Sequence, residues 1–259
     1  MHLESSGKTS KGKVRTENQD SLFIDDELGV WLVADGMGGH AGGALASEIV
    51  SIELPRLLQT GMRINQAIYQ CHHRLVEIQQ ARPKYKDMGS TLVLSVWRDN
   101  KLHIYWVGDS RAYLSSSEGL SLLTKDHSLV QKMIDLKLLN EHSAKCHPHK
   151  NVLTQCLGGG SRMKPEIGSL ELDLAESDAI LLCSDGLHNE LTDLDIWGEL
   201  GNSKNNADVV EQLIEQANNK GGKDNISAIV IRPRRPRPKD SLGIFSQLKN
   251  WLDLKFLTI

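Results

Sequence analysis

The chain has 259 residues, 39% hydrophobic and 24% charged, with a formal net charge of −3. This is enough for one large domain or two small ones, and the balance argues against a general electrostatic pull toward nucleic acid. No two of the four cysteines form a Cys-x-x-Cys pair, no run approaches the ~20 apolar residues of a membrane span, and the polar N-terminus has no signal-peptide core. A disulfide framework, a zinc ribbon and a transmembrane segment are therefore not expected, and a reducing cytoplasm is the expected location.

Taken in order, residues 1–13 are polar and read as a loop or an edge strand. A strand is expected at Ser21–Ile24, with Arg15 and Asp20 flanking a polar turn before it; as a surface ion pair those two would contribute little. Gly29–Ala34 is a nearly continuous apolar run, which predicts a buried strand. It stops at Asp35, and glycines fill most of the next eight positions. Asp35 is either a solvated loop residue or a metal ligand, since a carboxylate at the tip of a buried strand is costly unless paired or metal-bound. The carbonyl of Gly36 is then a candidate second ligand. Ala44–Glu53 reads as a helix ended or kinked by Pro55. Ile64–Gln80 reads as a stronger one, with Ile64, Ile68, Cys71, Leu75 and Ile78 on one face. His72 and His73 in it are taken as ordinary helix residues, and Cys71 and Cys183 as core thiols.

Thr91–Arg98 and Lys101–Val107 predict a hairpin turning at Asp99-Asn100. The second run ends Gly108-Asp109, an apolar strand again delivering an acid. A further strand is expected at Ala112–Ser115 and a helix over Leu129–Leu139. Residues 140–165 are polar and irregular; Cys146-His147-Pro148-His149 lies among them, with no partner cluster to make it a zinc site. Glu166–Leu172 and Asp178–Cys183 read as a strand pair, the second ending at Asp185-Gly186. Thr192 is expected to cap a short helix. Ala207–Asn219 reads as a helix stopped by Gly221, and Ile226–Ile231 as a strand preceded by Asp224. The chain thus divides into a core domain at 1–231, a basic proline-rich linker at 232–240, and an amphipathic segment at 241–259 with Ile244, Leu248, Trp251, Leu252 and Phe256 on one face.

Three apolar strands end at Asp35, Asp109 and Asp185, while Asp20 and Asp224 each precede a strand. Carboxylates gathered at one buried rim repel each other unless cations neutralise them, and oxygen-only donors favour Mg²⁺ or Mn²⁺. Two such ions can clamp a phosphoryl group, and Arg15 can hold its oxygens bidentately.

Arg15-Thr-Glu-Asn-Gln-Asp20, Asp35-Gly-Met-Gly-Gly39, Met88-Gly-Ser-Thr91, Val107-Gly-Asp-Ser-Arg111, Asp126-His-Ser128, Cys183-Ser-Asp-Gly186 and Lys223-Asp-Asn225 occur in this order. The series resembles the motifs of the metal-dependent protein phosphatase 2C family, in its bacterial form, across about residues 7–231. The resemblance implies an α+β fold: a four-layer α-β-β-α sandwich of two antiparallel sheets flanked by helix pairs, with a metal cleft at one end. It implies a serine/threonine phosphatase that hydrolyses phosphoserine and phosphothreonine monoesters with a metal-bridging water as nucleophile. Two core ions, Mn²⁺ or Mg²⁺, and a weaker third are implied. Asp35 would bridge the pair, and Asp185 and Asp224 would complete the first site. The Gly36 carbonyl would bind the second ion, with Asp20 helping directly or through water; Asp109 and Asp185 would hold the third. Arg15 would bind substrate phosphate, residues 140–165 would form a flap beside the cleft, and Thr91 and Ser110 would be structural.

Gln19 stands where some members carry Glu, and Met37 where some carry a proposed general-acid His; His40 and a metal-bound water are the substitutes. The expected partners are phosphorylated proteins and a cognate Ser/Thr kinase, with the tail free to contact a partner, a membrane surface or the protein itself. The competing readings are a phosphatase of small phosphate esters and a catalytically dead binding module of the same fold.

Overall fold

A computed structural model describes residues 1–159, 164–203 and 205–234. Two antiparallel sheets lie face to face. The first contains β1 (Leu3–Ser10), β11 (Ile226–Pro233), β10 (Ala179–Cys183), β7 (Arg111–Ser116) and β8 (Gly119–Leu122), in that spatial order. The second contains β2 (Asp20–Asp25), β3 (Val30–Met37), β5 (Leu92–Arg98), β6 (Lys101–Val107) and β9 (Gly168–Leu172), with the two-residue β4 (Gly89–Ser90) beside the end of β3.

The twofold alternation of strand side chains sorts the core. Trp31 and Val33 of β3 point into the seam between the sheets, where they meet Ile180 and Leu182 of β10 and Ile229 and Ile231 of β11. Leu32 and Ala34 point the other way, onto α1 (His40–Gln59) and α2 (Ile64–Ala81). Leu181 and Cys183 likewise face outward onto α6 (Asp193–Asn202) and α7 (Asn206–Lys220). Both faces of β3 and β10 are buried, so their sequences are continuously apolar. Cys71 and Cys183 are fully buried core thiols, and burial pushes both up to about 12.

Several elements differ from expectation. The helix α1 starts at His40 and passes through Pro55, because Val50, Leu54 and Leu58 form one unbroken buried stripe on the sheet. Tertiary packing there outweighs the lost N–H. The helix α3 (Leu129–Asp135) ends early, closed by Lys137 in the left-handed region at φ 60°. A short helix, α4 (Glu141–Lys145), lies within the stretch expected to be irregular.

β9 and β10 do not pair. β9 hydrogen-bonds to β6, while β10 sits between β11 and β7 in the other sheet. β9 alternates half-buried and exposed residues as an edge strand does, whereas β10 is buried throughout. β11 runs through Pro233, where Leu3 of the edge strand pairs with it. The remaining tail, 235–259, including the amphipathic segment, lies outside the described residues. The Asp99-Asn100 hairpin is as expected, both residues at positive φ (55° and 61°), a turn that Asx residues tolerate without glycine.

Candidate active site

The cleft opens at the end of the sandwich where β3 stops. Asp35 and Gly36 come from the last residues of β3. Gly36 has no room for a side chain: a Cβ would sit 2.0 Å from the carbonyl oxygen of Gly43 in the first turn of α1 and 2.7 Å from that of Gln19. Only glycine lets the helix start press this closely on the strand end. The Asp35 N–H bonds the Thr91 hydroxyl at 3.0 Å, and that hydroxyl shares a 2.7 Å hydrogen bond with Ser110.

From the facing sheet, Asp185 opens the one-turn helix α5 (Asp185–His188) directly after β10, and Asp224 precedes β11. Asp109 lies where the chain crosses from β6 to β7, and His188 Nε2 donates to its backbone carbonyl at 3.1 Å.

Arg15, Asp35, Gly36, Asp109, Asp185 and Asp224 all line one cleft of about 390 Å³. Asp20 does not. It pairs with Asp35 in the β2–β3 register but turns behind the cleft wall, accepting hydrogen bonds from the hydroxyls of Ser184 and Ser227, both at 2.7 Å. Nor does Arg15 pair with Asp20. Its guanidinium grips Asp224 in a fork, Nε to Oδ1 at 2.8 Å and Nη2 to Oδ2 at 2.6 Å.

The electrostatics are those of crowded acids. Burial first, then the charges of Asp20, Asp185, Asp109 and Asp224, hold the Asp35 carboxyl well above the usual range. Burial, then Asp224, pushes Asp185 up to about 6, against the opposing pull of Arg15 and of Lys150. Burial raises Asp20 to about 7 despite its two serine donors. Asp109 is likewise raised, by burial and then by Asp185. Among the described residues, Oδ1 of Asp185 and Oδ1 of Asp20 are buried without a hydrogen-bond partner.

Carboxylates and a backbone carbonyl are the donor set of a hard divalent cation, and the buried, partnerless oxygen of Asp185 fits such an ion. Among the described residues, no three His, Cys, Asp or Glu side chains are gathered closely enough to hold a metal ion between them; the acids line an open cleft.

Residues 9–230 match the sequence pattern of the family described as Protein phosphatase 2C. The chain belongs to that family. As a serine/threonine protein phosphatase of this family it has close counterparts in bacteria. It is 30% identical over 248 residues to the serine/threonine phosphatase stp of Listeria monocytogenes serotype 4b (strain F2365), covering 89% of this chain and 95% of the relative. The crystal structure of the Mycobacterium tuberculosis serine/threonine phosphatase PstP/Ppp superposes with a TM-score of 0.81 at 28% identity, over 91% of this chain and all (100%) of that one. The catalytic domain of a phosphatase PstP in complex with two manganese ions superposes at 0.78 and 29% identity, over 89% and 98% of the two chains.

Several contacts that support the cleft were not read from the sequence, although Asn225, Arg111 and Asp126 stand in the motifs quoted above. Those of Asn225 are the main ones. Its amide donates to the carbonyls of Lys11 (2.9 Å) and Glu17 (2.8 Å), and its oxygen accepts from the Gln19 N–H (2.8 Å). It thereby staples the loop that carries Arg15. Arg111 forks onto Asp126 at 2.9 and 2.8 Å beneath Asp109. His72, read as an ordinary helix residue, is buried and accepts from the Gly158 N–H at 3.1 Å. With Gln79, which donates to the Gly158 carbonyl at 2.9 Å, it ties down the segment after Asn151 and Leu153, two further cleft residues.

The His149 N–H donates to His147 Nδ1 at 3.2 Å, and neither histidine lines the cleft. Met37 is 37% exposed on the cleft lip. His40 opens α1, and its side chain lies outside the described residues.

Proposed function

We propose that the chain hydrolyses phosphoserine and phosphothreonine monoesters of proteins, using two Mn²⁺ or Mg²⁺ ions and a water that bridges them as nucleophile. The observation that carries this reading is the gathering of six of the seven expected site residues on one cleft, with Asp20 directly behind it. In this assignment Asp35, Asp185 and Asp224 would hold the first ion, and Asp35 with the Gly36 carbonyl would hold the second, with Asp20 helping directly or through water; Asp109 with Asp185 would hold a weaker third. When bound, such ions would offset the carboxylate repulsion, lower the pKa of a bound water and draw charge off the phosphoryl oxygens.

The protein's own residues do the rest. Arg15 presents two N–H groups in a fork that now closes on Asp224. Once Asp224 is neutralised, the same fork is matched to two phosphoryl oxygens, a geometry that lysine lacks. Thr91 fixes the backbone of Asp35, and Ser184 and Ser227 hold Asp20 oriented behind it. The open cleft, with exposed Met37, Gly38 and Gly39 at its lip, leaves room for a polypeptide on either side of the phosphorylated residue. A cognate Ser/Thr kinase would supply that substrate.

The purified chain is to be assayed with a phosphothreonine peptide and with an aryl phosphate, in Mn²⁺ and after chelation, beside Asp35→Asn. Metal-dependent turnover, higher kcat/KM for the peptide and loss of activity in the variant are expected. Turnover that survives chelation, or full activity of Asp35→Asn, rules the assignment out; preference for the small ester shifts the substrate class.

A further inference from the structure

The helix α6 has two unlike faces. Ile196 and Leu200 are buried in the core beneath the helix. On the opposite side, Leu194 and Trp197 are 76% and 44% exposed, and Gly198 and Gly201 continue the same face at helical spacing. A Cβ at either glycine would meet nothing within 4 Å. The fold itself therefore has no need of glycine there, although glycine weakens a helix interior.

The chain leaves the described fold beside this helix. Arg232, near the end of β11, donates Nη2 to the Leu200 carbonyl at 2.6 Å and Nη1 to Asn206 Oδ1 at 2.9 Å, spanning the end of α6 and the start of α7. The Arg234 N–H then bonds the His2 carbonyl at 2.7 Å. From that exit, residues 235–243 extended would reach about 28 Å, well beyond the roughly 15 Å length of α6. The sequence that follows repeats apolar residues at Ile244, Leu248, Trp251, Leu252 and Phe256, one stripe at helical spacing. Exposed apolar side chains at one end of a short tether and an apolar stripe at the other are complementary, and intramolecular docking benefits from a high effective concentration.

We propose that the segment from Ile244 to Phe256 docks as an amphipathic helix on the Leu194, Trp197, Gly198 and Gly201 face of α6 of the same molecule. Trp197 and Leu194 supply the apolar contact, and the two glycines let the backbones approach closely. The site lies on the outer face of the sandwich and involves none of the cleft residues.

Hydrogen exchange of the full-length chain tests this. Leu248→Asp/Trp251→Asp is expected to speed exchange of the α6 amides about tenfold, as loss of a docked cover should. Leu194→Asp/Trp197→Asp is expected to speed exchange across 244–256 by a similar factor, with aryl phosphatase activity unchanged in both. Alpha-6 exchange indifferent to the tail substitutions overturns the proposal. So does protection that grows with protein concentration, which would indicate a second copy, or that arises only on adding phosphatidylserine vesicles, which would indicate a membrane surface.

Discussion

Replacing Asn225 with alanine should damage both stability and phosphate binding, although Asn225 carries no charge and holds no proposed ligand position. Its side chain is 5% exposed and makes three hydrogen bonds of 2.8–2.9 Å to the backbone of residues 11–19. At about 1 kcal/mol per bond the loss is about 3 kcal/mol. For a domain of this size that lowers Tm by roughly 6–12 °C. The loop so released holds Arg15, and misplacing a substrate-orienting group by about 1 Å costs on the order of 10²-fold in rate. A fall in kcat/KM of between about tenfold and that limit is therefore expected, seen mainly as raised KM if Arg15 binds phosphate in the ground state. Urea denaturation and steady-state kinetics on a phosphopeptide, both at saturating Mn²⁺, give the two numbers. An Asn225→Ala protein that loses less than about 0.5 kcal/mol and keeps its kcat/KM would refute the stapling role, because surface changes alone stay within that range.

Arg15→Lys keeps the charge but not the fork, and should lower kcat/KM by about tenfold or more, one bidentate contact being worth over 1.4 kcal/mol; wild-type kinetics would contradict phosphate binding by Arg15. In metal-free protein, Asp20 (about 7) and Asp185 (about 6) lie above their unfolded value near 3.8, so the folded chain holds extra protons. Their contribution to stability is complete below about pH 4 and is lost as pH rises through 6 to 7. Mn²⁺ must displace those protons, so the rise in Tm on adding Mn²⁺ should grow between pH 5 and 7; scanning calorimetry reads it, and a pH-independent rise would argue against these carboxylates as the binding set. Ser184→Ala/Ser227→Ala removes both donors to Asp20 and should weaken Mn²⁺ binding in calorimetric titration several-fold, whereas unchanged affinity would make Asp20 a purely structural residue.

The strand-to-acid transitions at Asp35 and Asp185 were legible because a buried strand must be apolar and a carboxylate at its end needs a reason. The Thr192 cap was legible for a similar reason: Asp195 three residues on completes a capping box that needs no tertiary partner. Sheet membership was not. Short apolar runs carry no label for their neighbours, and β9 and β10, six residues apart, went to different sheets. The pairing of Arg15 with Asp224 spans 209 positions, and nothing local distinguishes it from a contact with Asp20 five residues away. The roles of Asn225 and of the serines around Asp20 were not legible for another reason, although Asn225 and Ser184 stand in the quoted motifs. Amides and hydroxyls are common beside strands, and only the fold shows which backbone groups they reach.

The cleft draws its acids from both halves of the sandwich: Asp35 from the sheet under α1 and α2, Asp185 and Asp224 from the sheet under α6 and α7. Any cation they share is therefore a rivet between layers whose separation is otherwise set by side-chain volume along Trp31, Val33, Ile180 and Ile229. Trimming a methyl group from that seam, far from the chemistry, alters the gap the rivet must span, so ion affinity becomes a gauge of how well the two sheets are seated on each other.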